Sequence, residues 1–213
     1  MEFRELLEIV GEVPVFETGL LLAGAVNPDH IQRQLVRWKN AGKIYQLRRG
    51  LYTLAAPYYK ITPHPFVIAN QLQRPSYISR QSALAYFGLI PEYVPVTTSV
   101  TPARPNRWST PLGVFDFRHI QVELFFGYQR ISLSDNQTTM VATPEKALID
   151  LIYLQPEGDS HEYLKELRLQ QMDRLNLQVL KKMAGRTKKP KIIRAAALIA
   201  KLTLEEASQY ENL

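Results

Sequence analysis

The chain has 213 residues, 46% of them apolar and 22% charged, a balance that excludes a disordered or fibrous protein and leaves room for a small module plus a larger body. Lys and Arg outnumber Asp and Glu by 26 to 20, giving a net charge of +6 that favours a polyanionic partner without naming it. With no cysteine, disulfides and thiolate metal sites are excluded; the four scattered histidines (His30, His64, His119, His161) offer no paired ligand spacing, so no metal or other cofactor is expected.

Residues 1–10 carry three glutamates and lack the basic-then-apolar order of a targeting segment. No window approaches the roughly eighteen apolar residues of a membrane span. The expectation is a cytoplasmic protein with no membrane partner. Charge then switches abruptly: residues 1–29 hold six acids and one base, whereas residues 30–60 hold seven bases and no acid.

Residues 16–23 form a short apolar segment ending at Gly24, which suits a positioning helix and the turn after it. In residues 27–40, Asn27 is a good cap, Pro28 fits the first helical position and Asp29 complements the helix dipole. Ile31, Leu35 and Trp38 fall at i, i+4 and i+7 and form one buried stripe. Arg33, Arg37 and Asn40 then lie on the opposite side, flanked by His30 and Gln34. Such a donor-rich face suits the major groove, where Arg reads guanine, Asn and Gln read adenine, and the other donors grip phosphate.

After Gly42 and Lys43, residues 44–54 read as two short strands joined at Arg48-Arg49-Gly50, with both guanidiniums projecting from the tip. In this order the elements make a winged helix-turn-helix, and the tip suits a flanking minor groove or phosphates. The candidate DNA-binding residues are therefore His30, Arg33, Gln34, Arg37, Asn40, Lys43, Arg48 and Arg49. A basic helix face is often only a solvated surface. It is the coincidence of cap, stripe and basic hairpin that raises double-stranded DNA above that reading.

Three prolines in residues 57–65 mark an extended connector and divide the chain into a DNA-binding domain, 1–58, and a body, 62–213, separable at that point. In the body, Ser79 is read as the cap of a two-turn helix ending before Gly88, and Ser82 as a residue of its surface. Residues 94–100, 113–117, 119–125 and 130–133 read as strands. Asp116 and Glu123, on these strands, are expected to face solvent. Thr143 and Pro144 start a helix through Leu151 on which Lys146 and Asp150, at i and i+4, are expected to form a local ion pair. Two or three further helices follow.

The fold class is thus α+β: a winged helix-turn-helix, then a larger mixed α/β domain ending in a helical bundle. Glu145, Lys146 and Asp150 are the nearest approach to a metal-dependent nuclease motif, but no second carboxylate cluster can be assigned to them, so a non-enzyme is expected. No phosphate-binding glycine loop appears. Residues 163–201 form a second basic region, with eleven Lys or Arg and two acids. That region fits either a solvated surface or a track for nucleic-acid backbone.

With Gly42-Lys43-Ile44, Arg48-Arg49-Gly50-Leu51-Tyr52, Tyr77-Ile-Ser-Arg-Gln-Ser-Ala-Leu-Ala-Tyr-Phe-Gly-Leu-Ile-Pro91 and Thr143-Pro-Glu-Lys-Ala-Leu-Ile-Asp-Leu151, the chain resembles the AbiEi family of antitoxins from type IV abortive-infection toxin-antitoxin systems. The resemblance implies an N-terminal domain that represses its own operon at inverted repeats. It further implies a C-terminal domain that counteracts a nucleotidyltransferase toxin encoded alongside, without requiring a stable complex with it. Two other readings stay open: a nucleic-acid-processing enzyme, or a protein-interaction adaptor, using the winged helix for docking.

Overall fold

A computed structural model describes the backbone of residues 1–23, 27–91 and 94–210 and, except at Asp173 and beyond Thr203, their side chains. The chain is a mixed α+β protein. It begins with a helix that the charge pattern of its first residues did not announce, α1 (Phe3–Val10). Glu2 and Glu5 close a reciprocal capping box at its start, and Leu6 and Val10, one turn apart, are its buried face.

Residues 16–23 do not form the expected positioning helix. Phe16–Glu17 is a short strand, β1, and Thr18–Leu22 a single 3-10 turn. The reason is the pairing of Phe16 with Tyr52, whose rings stack at 5.9 Å and fix this segment as extended backbone. The turn expected at Gly24 lies outside the described residues, as do residues 211–213.

The next helix, α2 (Pro28–Asn40), starts as its sequence dictates. The Asn27 side chain accepts from the Asp29 and His30 amides at 2.9 and 3.3 Å, and Ile31, Leu35 and Trp38 are buried. Strands β2 (Ile44–Arg48) and β3 (Leu51–Leu54) follow as an antiparallel hairpin, with Gly50 at φ +78° supplying the turn conformation. The sheet order is β1-β3-β2. Leu6, Val10, Phe16, Leu21, Ile44 and Tyr52 join the α2 stripe in one apolar cluster.

Residues 55–64 carry no helix or strand, which is where the connector was expected. Apolar packing nonetheless crosses it: Val15, Leu47 and Leu51 belong to the core of the body. The body opens with α3 (Pro65–Leu72), capped by His64 Nδ1, which accepts from the Phe66 amide at 3.1 Å. Then come β4 (Tyr77–Ile78), α4 (Arg80–Tyr86), β5 (Val96–Thr101), β6 (Asn106–Thr110), β7 (Gly113–His119), β8 (Tyr128–Ser132) and β9 (Thr138–Ala142). The strands form one sheet in the order β6-β7-β5-β4-β9-β8, in which β5–β7 and β4–β9 pair in parallel and the other neighbours antiparallel.

The strand expected over residues 119–125 is absent. β7 ends at His119 and Val122–Leu124 is a 3-10 turn that buries Ile120 and Leu124 while Val122 is 70% exposed, a spacing that strand alternation does not produce. Glu123 is therefore exposed on a turn rather than on a strand.

Helix α5 (Pro144–Leu154) begins at the Thr143 cap, and every residue from Glu145 to Ile152 is buried, so it is the central helix of the body. Helices α6 (His161–Glu166), α7 (Leu177–Thr187) and α8 (Pro190–Tyr210) complete the chain, α7 and α8 packing on each other and on α5. Among the described residues, no helix is long and apolar enough to cross a membrane.

Candidate nucleic-acid interface

Helix α2 presents Arg33, Arg37 and Asn40 to solvent on the side opposite Ile31, Leu35 and Trp38. Arg33 Nε donates to the Asp29 carbonyl at 3.3 Å, which lays its stem along the helix and leaves the guanidinium end outward. Two residues not singled out from the sequence share the exposed surface: Val36, 46% exposed, and Lys39, whose ammonium reaches Gln46 Oε1 at 3.4 Å. The signal for both was their spacing: Val36 sits three residues after Arg33, and Lys39 three after Val36. An exposed valine on such a face offers apolar contact of the kind a thymine methyl takes.

The remaining candidates divide. Gln34 is half-buried at the edge of the face. His30 is half-buried too, with Nε2 at 3.3 Å from the amino group of Met1. Lys43 places its ammonium 4.5 Å from the centre of the Phe3 ring, a cation–π contact that ties α1 to the end of α2. These two side chains hold the N-terminal segment in place more than they face outward.

The hairpin tip differs from expectation in one respect. Arg49 is exposed and, with Asp29, Gln32 and Gly50, lines a cleft of about 440 Å³ between the tip and the start of α2. Arg48 instead turns back on the body. Its Nη2 donates to the Gln71 carbonyl at 3.3 Å and lies 3.8 Å from Glu17 Oε1, and its Nη1 donates to the Arg49 carbonyl at 3.2 Å. Leu47 and Leu51 on either side of the turn are buried against the body, and this docking draws the Arg48 side chain inward.

Part of the basic C-terminal region is also occupied. Arg186 stacks over Phe126 at 4.0 Å, Lys191 donates to the Gln155 carbonyl, and Arg194 pairs with Asp159 at 2.6 Å.

In the body, the expected Lys146–Asp150 pair forms but is fully enclosed rather than lying on an open helix face. Ser79, expected as a helix cap, makes no capping bond; its hydroxyl donates to Asp150 Oδ2 at 2.7 Å, beside Tyr77 at 3.0 Å. Ser82 is likewise buried rather than on a helix surface, accepting from the Thr98 amide at 2.8 Å and tying α4 to β5. Asp116 does not face solvent: it is 7% exposed and holds Arg80 and Arg118. Among the described residues no three His, Cys, Asp or Glu side chains are grouped to hold a metal ion. Comparison with protein-family models gives no match, and comparison with curated proteins gives none.

Proposed function

We propose that this chain is a DNA-binding transcriptional autoregulator whose first sixty residues act as a winged helix-turn-helix, and that its body is the antitoxin half of a type IV system. The observation that carries the DNA reading is the outward face of α2. Arg33, Arg37 and Asn40 stand on a capped helix whose other side is locked into the core, next to the exposed Arg49 of the hairpin, and residues 30–60 contain no acid. A rigid helix with fixed donors is what reading base edges requires. The antitoxin half of the proposal rests on the AbiEi resemblance of residues 77–91 and 143–151.

A structural rather than catalytic reading of Glu145, Lys146 and Asp150 is supported by their burial. Ser79, Lys146 and Asp150 sit inside the core with one another as partners, an arrangement that ties α5 to the sheet and leaves no open atom for a substrate. The test is an electrophoretic mobility shift with the DNA upstream of the chain's own reading frame, without added metal. Sequence-specific retardation of intact DNA is the expected result. Cleavage or modification of the DNA, or no retardation, overturns the reading; co-expression with a neighbouring nucleotidyltransferase tests the antitoxin half separately.

A further inference from the structure

The sheet side of the body holds a cavity of about 460 Å³ that the DNA reading does not use. Its charged wall comes from four elements, α6 supplying Glu166. Arg80 is the first residue of α4, Arg107 lies on β6, and Asp116 and Arg118 lie on β7. Strand geometry explains why they meet. Phe115 and Phe117 point into the core, so Asp116 between them points to the other face, where Arg107 is its cross-strand neighbour and Arg118 is one residue from Phe117.

Arg80 Nη1 donates to Asp116 Oδ2 at 2.7 Å, and Arg118 Nε donates to the same oxygen at 3.2 Å. The Arg80–Asp116 pair is nearly enclosed, at 12% and 11% side-chain exposure. Arg80 also holds φ +58°, a left-handed conformation that is strained for a non-glycine residue and persists only where its surroundings enforce it.

A clamp joining α4 to the sheet would need only Arg80 and Asp116. Two further features remain. The Arg107 guanidinium has no partner among the described residues, and Gln81 Oε1 is buried on the same cavity without a donor. Among the described residues, the three guanidiniums face two carboxylates, Asp116 and Glu166, so the described lining carries a surplus positive charge. Ile90 and Leu151 supply an apolar floor, and the volume lies in the range of small-molecule sites.

We propose that this cavity binds a phosphomonoester carried on a small organic body of mononucleotide or sugar-phosphate size. Arg107 and Arg118 take the phosphate as planar, multi-donor guanidiniums do, the Asp116-fixed Arg80 orients the wall, and a hydroxyl or amine of the ligand donates to Gln81 Oε1. Nothing in this depends on the chain binding DNA.

The test is calorimetric titration of the full chain with AMP, GMP, CMP, UMP, ribose 5-phosphate, adenosine and inorganic phosphate at physiological salt. Saturable binding of at least one phosphomonoester is expected, weakened tenfold or more by Arg107→Ala and by Gln81→Ala. The Arg107 side chain is exposed and has no bonded partner among the described residues, so its variant should melt with the parent. Selectivity for the mononucleotides or for ribose 5-phosphate identifies the body carrying the phosphate. No saturable binding of any phosphomonoester, unchanged affinity in Arg107→Ala, or adenosine or inorganic phosphate binding as tightly as the esters each overturns the proposal.

Discussion

Lys146 and Asp150 form an ion pair one turn apart on α5 with 0% and 1% of their side chains exposed. Asp150 also accepts the hydroxyls of Ser79 and Tyr77, and burial, with the adjacent Asp150 charge, pushes the Tyr77 hydroxyl well above its ordinary value, so it remains a donor. Removing one member of such a pair leaves an unpaired charge in the core. Lys146→Met should therefore cost about 3–5 kcal/mol in urea unfolding. Lys146→Met with Asp150→Asn should recover part of that, because a neutral amide oxygen still accepts from Ser79 and Tyr77. A double variant no more stable than the single one would show that the uncompensated charge is not the source of the loss.

Asp116 gives a pH dependence with a definite sign. Burial pushes its carboxyl up, but the hydrogen bond and charge of Arg80, joined by those of Arg118, outweigh it and hold the carboxyl below its ordinary value of 3.8. A depressed carboxylate contributes stability that is complete above the unfolded-state pKa and lost as pH falls through the folded-state one. Asp116→Asn should thus be less stable than the parent at neutral pH, and the gap should close as pH drops below 3.8. Denaturant midpoints for both proteins between pH 7 and pH 2 measure it; parallel curves would remove Asp116 from the acid limb.

On the DNA face, Arg33→Ala and Arg37→Ala should each weaken specific binding by about 1–3 kcal/mol if they make bidentate contacts to bases. Fluorescence anisotropy on the upstream DNA reads this directly, and parent-like affinity in both variants would remove α2 from the groove.

The two hairpin arginines should separate by assay. Arg49→Ala should flatten the slope of log K against log salt by about one unit, as expected for one lost phosphate contact. Arg48→Ala should leave the slope alone and lower the melting temperature, because it removes the bridge to the Gln71 carbonyl and Glu17. An equal change of slope in both would mean that Arg48 leaves the body when DNA binds.

These two residues also mark what could be read from the sequence. Helices α2 and α5 were legible because their signals are local: a cap, a proline at the first position and an apolar stripe within a dozen residues. The turn of Arg48 was not, since its carbonyl partner lies 23 positions away. The same holds for Ser79, whose acceptor is 71 residues distant, and for Asp116, made to look exposed by its charge while its partner Arg80 lies 36 positions away. Strand β6 went unread because it is a sheet edge whose Asn106, Arg107 and Ser109 are exposed, without the apolar alternation that marks a half-buried strand. Helix α1 was not legible because it is only eight residues long and its buried face is just two residues, Leu6 and Val10 at i and i+4.

The packing across the connector changes what a truncation should do. The sequence presents residues 1–60 as a self-sufficient module, yet Val15, Leu47 and Leu51 are 7%, 4% and 0% exposed because they belong to the core of the body. Cutting after residue 60 returns these side chains to water. Fully burying a residue of this kind is worth about 1.5–3 kcal/mol, and a domain of about sixty residues has little stability to spare. The Arg48 bond to Gln71 is lost with them. The fragment should accordingly melt well below the full chain, or without a cooperative transition, and bind the upstream DNA more weakly even though α2 is intact. Circular dichroism melts and anisotropy titrations of both proteins decide the matter. A fragment that melts cooperatively at the temperature of the full chain would show that the hairpin's contacts with the body contribute nothing to the DNA-binding unit.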